Sequence, residues 1–93
     1  MVIRTREPDP GKRIRQKQGK LIRQVRTMRG LSVRELADAI NALGVKNLSV
    51  TAGAVSHWET GKASPRQVTQ LAIAQVLDVP WSTLFSLDGE SLT

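Results

Sequence analysis

Residues 51–65 read TAGAVSHWETGKASP, and this stretch decides how the rest of the chain divides. Thr51 is a good N-cap, since its hydroxyl accepts from the unpaired amides of a first helical turn. Gly61 is a natural stop, because glycine enters the left-handed region without a Cβ clash. Between them the spacing predicts a short helix with Val55 and Trp58 facing inward and Ser56 and His57 outward. Ala52, Gly53 and Ala54 crowd its head, although glycine costs about 1 kcal/mol relative to alanine inside a helix. Small residues there make sense where something must come close. Ser49 competes with Thr51 as the cap, so the starting point stays open.

Working outward, apolar residues recur at spacings of three and four, and no segment alternates for long enough to read as a strand. The expected fold is all-α with five helices. Upstream, Ser32 and Glu35 form a capping box for a second helix whose inner face is Leu36, Ala39, Ile40 and Leu43, with Gly44 as its end. Before it, residues 20–29 carry Leu21, Ile22, Val25 and Met28 on one face, and Gly30 closes the helix. An earlier start, capped by Asp9 with Pro10 at the first position, is the alternative. Gly19 speaks against it, and the expectation is a mobile basic arm over residues 1–18, a domain over 19–87 and a tail over 88–93. Downstream, Ser64 and Pro65 open a fourth helix that carries Val68, Leu71, Ala72, Ala74, Val76 and Leu77 before Asp78. Pro80 then opens a short fifth with Trp81, Leu84 and Phe85.

The 93 residues suffice for one compact domain. With no cysteine and a single histidine, neither a disulfide framework nor a Cys/His metal site can be assembled, and no metal or cofactor is expected. The same scarcity, with no carboxylate pair in an acid and base arrangement, argues against an enzyme. No apolar run approaches a membrane span and no signal-peptide core follows the basic N-terminus; the expected location is the cytoplasm. Of fourteen Lys and Arg, ten lie in residues 1–30 against only Glu7 and Asp9, while residues 31–93 hold four against six acids. So concentrated a cationic segment attracts polyanions, with nucleic acid the commonest.

In this setting the chain resembles the lambda-repressor and Cro family of helix-turn-helix DNA-binding domains. LIRQVRTMRGLSVRELADAI (21–40) is similar to the family's first and second helices, AVSHWETGKASP (54–65) to its recognition helix and following turn, and LAIAQVLDVPWSTLF (71–85) to its fourth and fifth helices. Ala37 supplies the small residue needed where the second and third helices cross. The resemblance implies a partly buried ion pair between Arg26, five residues before Leu31-Ser32, and Glu59 of Trp58-Glu59. One departure is the connection: thirteen residues separate Ala37 from Thr51, more than the family's short turn.

What the resemblance implies about function follows the recognition helix into a DNA major groove. His57 matches a base-contacting position, and its neutral ring can donate to guanine N7 or O6. Ser56 shares that side. Ala52 and Gly53 stand where relatives often carry glutamine or serine, so they offer only methyl and backbone surface. Ser32, Arg34 and Thr51 at helix N-termini, Lys46 and Lys62 in flanking turns, and Arg13 and Arg15 in the basic segment are the phosphate candidates. The expected function is a sequence-specific regulator of transcription, a bacterial or phage repressor, bound to double-stranded DNA as a homodimer. Trp81, Leu84, Phe85 and Leu87 form the nominated dimer surface, unless that helix folds back to close the core. The alternative from another class is an antitoxin that binds a toxin and represses its own operon.

Overall fold

The computed structural model describes residues 10–85, which form five helices and no strand. α1 spans Pro10–Met28, α2 Val33–Ala42, α3 Ala52–Glu59, α4 Gln67–Leu77 and α5 Trp81–Phe85. The all-α, five-helix expectation holds. The basic arm is corrected for residues 10–18, which belong to α1. Asp9, Arg4 and Arg6 lie outside the described residues, as do Leu87 and the tail.

Gly19 explains why α1 runs on. A Cβ at this position would lie 2.3 Å from the Trp58 carbonyl oxygen and 2.7 Å from that of Glu59. The glycine is therefore the point at which the C-terminal end of α3 rests against α1. Its weak helix propensity is outweighed by a close backbone contact that no other residue permits. The stripe that carries this packing continues upstream of Leu21 through Gln18, which is buried and donates from Nε2 to the Phe85 carbonyl at 3.5 Å.

Several helix ends carry a recognisable local device. Gly30 (φ 74°) follows α1, with its N–H on the Thr27 carbonyl and the Leu31 N–H on that of Arg26, a Schellman arrangement. Gly61 (φ 79°) closes α3 in the same manner through Trp58 and His57. Ser32 and Glu35 make both bonds of the capping box at the head of α2. α4 starts two residues later than expected from Pro65: Arg66 is extended and occupies the N-cap without a side-chain bond, while Gln70 Nε2 donates to the Pro65 carbonyl. Pro65 is thus a buried residue of the connection in front of the helix.

The core is built from Ile22 of α1, Leu36, Ala37 and Ile40 of α2, Val55 and Trp58 of α3, Ala72, Ile73 and Leu77 of α4, and Leu84 and Phe85 of α5. Each fully buried aliphatic side chain contributes roughly 1.5–3 kcal/mol. Three apolar residues of the expected helices face outward, Met28 among them although it shares a spacing with Leu21, Ile22 and Val25: Met28 is 77% exposed, Leu71 52% and Val68 45%. Met28 lies in the last turn of α1 on its exposed side, while the next residue, Arg29, donates from Nε to the Leu77 carbonyl at 2.8 Å. On α4 the buried stripe is Thr69, Ala72, Ile73 and Leu77, which turns Val68 and Leu71 to its far side.

Candidate nucleic-acid interface

The head of α3 is formed by Thr51, whose backbone is extended (φ −106°, ψ 163°) and whose Oγ1 accepts from the Ala54 N–H at 3.0 Å. Thr51, not Ser49, is therefore the cap. The N–H groups of Ala52 and Gly53, one step inside it, have no intrahelical acceptor and carry the positive end of the helix dipole. Gly53, Ser56, His57 and Thr60, at i, i+3, i+4 and i+7, share one exposed face, while Val55 and Trp58 are buried opposite. Ala52 is half-buried at its edge. Thr60 turns its hydroxyl back to the Ser56 and His57 carbonyls at 3.0 and 3.3 Å, leaving Ser56 and His57 as the polar side chains this face offers outward.

Gly53 differs from Gly19 in a way only coordinates reveal. A Cβ there would meet nothing closer than the Thr51 Oγ1 at 3.8 Å, and the backbone is not left-handed. Nothing inside the fold requires glycine, yet its cost to the helix is paid.

What holds α3 in place is a set of polar contacts around a buried charge. The Arg26 guanidinium donates from Nε to Glu59 Oε2 at 2.6 Å and from Nη2 to Oε1 at 3.0 Å, and its Nη1 donates to the Leu31 carbonyl at 2.7 Å. Both side chains are nearly enclosed, 10% and 7% exposed. The hydrogen bond to Glu59 raises the Arg26 pKa above its ordinary value and desolvation opposes it, so the arginine stays charged at any working pH. This fork ties the end of α3 to α1 and to the turn before α2.

The long connection is held by a residue that sequence reasoning passed over. Asn41, in the last turn of α2, donates from Nδ2 to the Val50 carbonyl and accepts the Val50 N–H at Oδ1, both at 2.8 Å. Val50 is buried and immediately precedes the Thr51 cap. Asn41 thus spans the widened turn as a peptide group would and sets where α3 begins. The sequence signal was slight: an amide side chain one turn before Gly44, which is itself left-handed (φ 71°).

The phosphate candidates lie at several places. The Ser32 and Thr51 oxygens accept backbone bonds within their caps, which leaves each hydroxyl proton free to be donated. Arg34, Lys46, Lys62 and Arg13 are exposed on α2, the connection, the turn after α3 and α1 respectively. Arg15 is half-buried, with its Nε donating to the Gly61 carbonyl at 3.1 Å, so it is drawn toward the end of α3.

Comparison with known proteins agrees with this geometry. A helix-turn-helix family model matches residues 22–84, which takes in α2, the connection, α3 and most of the packed core. The chain belongs to the helix-turn-helix family, of the Cro/C1 type. Membership supports a DNA-binding regulator of transcription for this helix-turn-helix protein. Its fold is similar to the crystal structure of the clp gene regulator ClgR from C. glutamicum, with a TM-score of 0.65 and 21% identity over 94% of this chain and 100% of that one. No curated protein matches. Among the described residues no helix is long and apolar enough to cross a membrane.

Proposed function

We propose that this helix-turn-helix protein is a sequence-specific repressor that seats α3 in the major groove of a two-fold symmetric operator. The observation that carries the reading is the outward face of α3, where an unneeded glycine lies one turn before exposed Ser56 and His57. A missing side chain at the head of the helix lets backbone approach a base edge or a thymine methyl, and Ala52 adds only a methyl beside it. His57 then reads guanine, and Ser56 contributes a second, weaker contact. Ser32 and Thr51, with Arg34, Lys46, Lys62 and Arg13, hold phosphates and set the register of the helix in the groove.

One α3 spans too few base pairs for useful selectivity, so two protomers bind half-sites about one helical turn apart. Leu84 and Phe85 are 1% exposed and close the core, so they are withdrawn from the nominated dimer surface. Trp81 remains partly exposed from α5, with its indole N–H on Gln70 Oε1 at 2.9 Å.

Selecting binders from randomised duplex DNA tests the reading. Enrichment of a palindromic site is expected, with half-sites about 10 base pairs apart. A pool that stays random through selection would remove sequence-specific recognition.

A further inference from the structure

The face of α1 that precedes the family match has a construction of its own. Arg13, Lys17 and Lys20, at i, i+4 and i+7, line up along the exposed side of α1. They border an open groove of about 500 Å3 whose opposite wall is Glu59 and Thr60 at the end of α3. No acid among the described residues is bonded to these three cations. Glu59, the acid in the groove, has both oxygens bonded to Arg26, which balances its charge.

The backbone that carries these cations is seated closely. Two glycines let the helices touch: Gly19 receives the end of α3, and Gly61 rests on Gln16, where a Cβ would lie 2.5 Å from Cγ and 3.1 Å from Cα. α1 is thus seated on the end of the helix that carries Ser56 and His57, and Thr60 belongs both to that outward face and to the groove.

We infer that Arg13, Lys17 and Lys20 form a fixed track for the phosphate backbone flanking the bases that α3 reads. The inference rests on the proposed binding of duplex DNA and extends it to a surface upstream of the family match. Residues 13 to 20 rise about 10 Å along a helix, and their three long side chains can reach about three phosphates of one strand, whose charges lie roughly 3.4 Å apart measured along the duplex axis. A helix that holds the backbone of its cations in place loses less backbone freedom on binding than a loose basic tail does. The track contributes affinity and register, and no base preference.

The test uses the full chain and the duplex recovered by selection, beside a scrambled duplex. In the variant Arg13→Gln/Lys17→Gln/Lys20→Gln, the slope of log affinity against log salt should shrink by about 2 to 3, at about 0.9 per phosphate released. Affinity for both duplexes should fall together by at least about tenfold at low salt, with the preferred sequence unchanged. The control is Gln75→Glu/Ser82→Glu/Thr83→Glu, which lowers net charge by the same three units on exposed positions of α4 and α5; its slope should stay near that of the parent. Circular dichroism confirms that both variants fold. If the α1 variant keeps the parent slope, or the control loses as much, the track does not exist. A parent that binds neither duplex overturns the DNA-binding reading, and the inference with it.

Discussion

The same substitution, glycine to alanine, should act in opposite directions at two positions of this protein. At Gly19 the new methyl would lie 2.3 Å from the Trp58 oxygen and 2.8 Å from the Glu59 carbonyl carbon. These are backbone atoms at the end of α3, themselves pinned by the Arg26 fork, so relief requires α1 and α3 to part by about 1 Å. Overpacking in a core costs typically 1–3 kcal/mol and more against rigid neighbours. Contacts of 2.3–2.8 Å with backbone put the cost at the upper end, about 3 kcal/mol, and subtracting about 1 kcal/mol gained in helix propensity leaves Gly19→Ala destabilised by roughly 2 kcal/mol. At Gly53 the nearest atom is 3.8 Å away, so Gly53→Ala collects the propensity gain of about 0.5–1 kcal/mol with no clash. For a domain of this size the two changes correspond to a fall in Tm of about 8–16 °C and a rise of about 2–8 °C. Scanning calorimetry of both variants, followed by titration with the selected duplex, is the assay. Gly53→Ala should gain stability and lose roughly tenfold in affinity, about 1.4 kcal/mol, because its methyl occupies the space offered to DNA. A stabilised Gly53→Ala that binds as tightly as the parent would refute the reading of that glycine. Parent-like melting of Gly19→Ala would show that α1 is not seated on α3.

Glu59→Ala should lower stability by about 3–5 kcal/mol, since it leaves the Arg26 guanidinium enclosed with only the Leu31 carbonyl; thermal unfolding that matches the parent would contradict a structural role. Asn41→Ala removes two bonds to the Val50 backbone, each worth about 0.5–1.5 kcal/mol. It should also weaken the selected duplex more than a scrambled one, because the start of α3 is no longer set; equal losses on both would make Asn41 a residue of stability alone. His57→Ala should cost about 1–3 kcal/mol on the selected duplex, relax one position of each half-site and leave scrambled DNA unaffected. Lys62→Ala should weaken both duplexes alike and reduce the salt slope by about 1, and a base-selective effect there would reverse the two assignments.

Local chemistry made much of this protein legible before any coordinates. Capping residues, glycine stops and the spacing of Leu36, Ile40, Val55 and Trp58 depend on a few neighbours along the chain, so the helices and most of the core follow from their order. The outward placement of Ser56 and His57 follows from the same period. The sequence by itself thus determined five helices and the stop of α3 at Gly61, whereas the choice of Thr51 over Ser49 as its cap waited for the structure. Only the tertiary structure decided what its glycines are for. Gly19 and Gly53 both weaken a helix, and a propensity argument treats them alike; the first meets another backbone and the second meets nothing. That difference also decided that α1 runs through Gly19, because the close contact between residues 19 and 58, thirty-nine positions apart, outweighs a local cost of about 1 kcal/mol. The exposure of Met28, Val68 and Leu71 and the span of Asn41 to Val50 have the same origin. Periodicity places a side chain on a face of its helix, whereas only packing determines which neighbours that face meets.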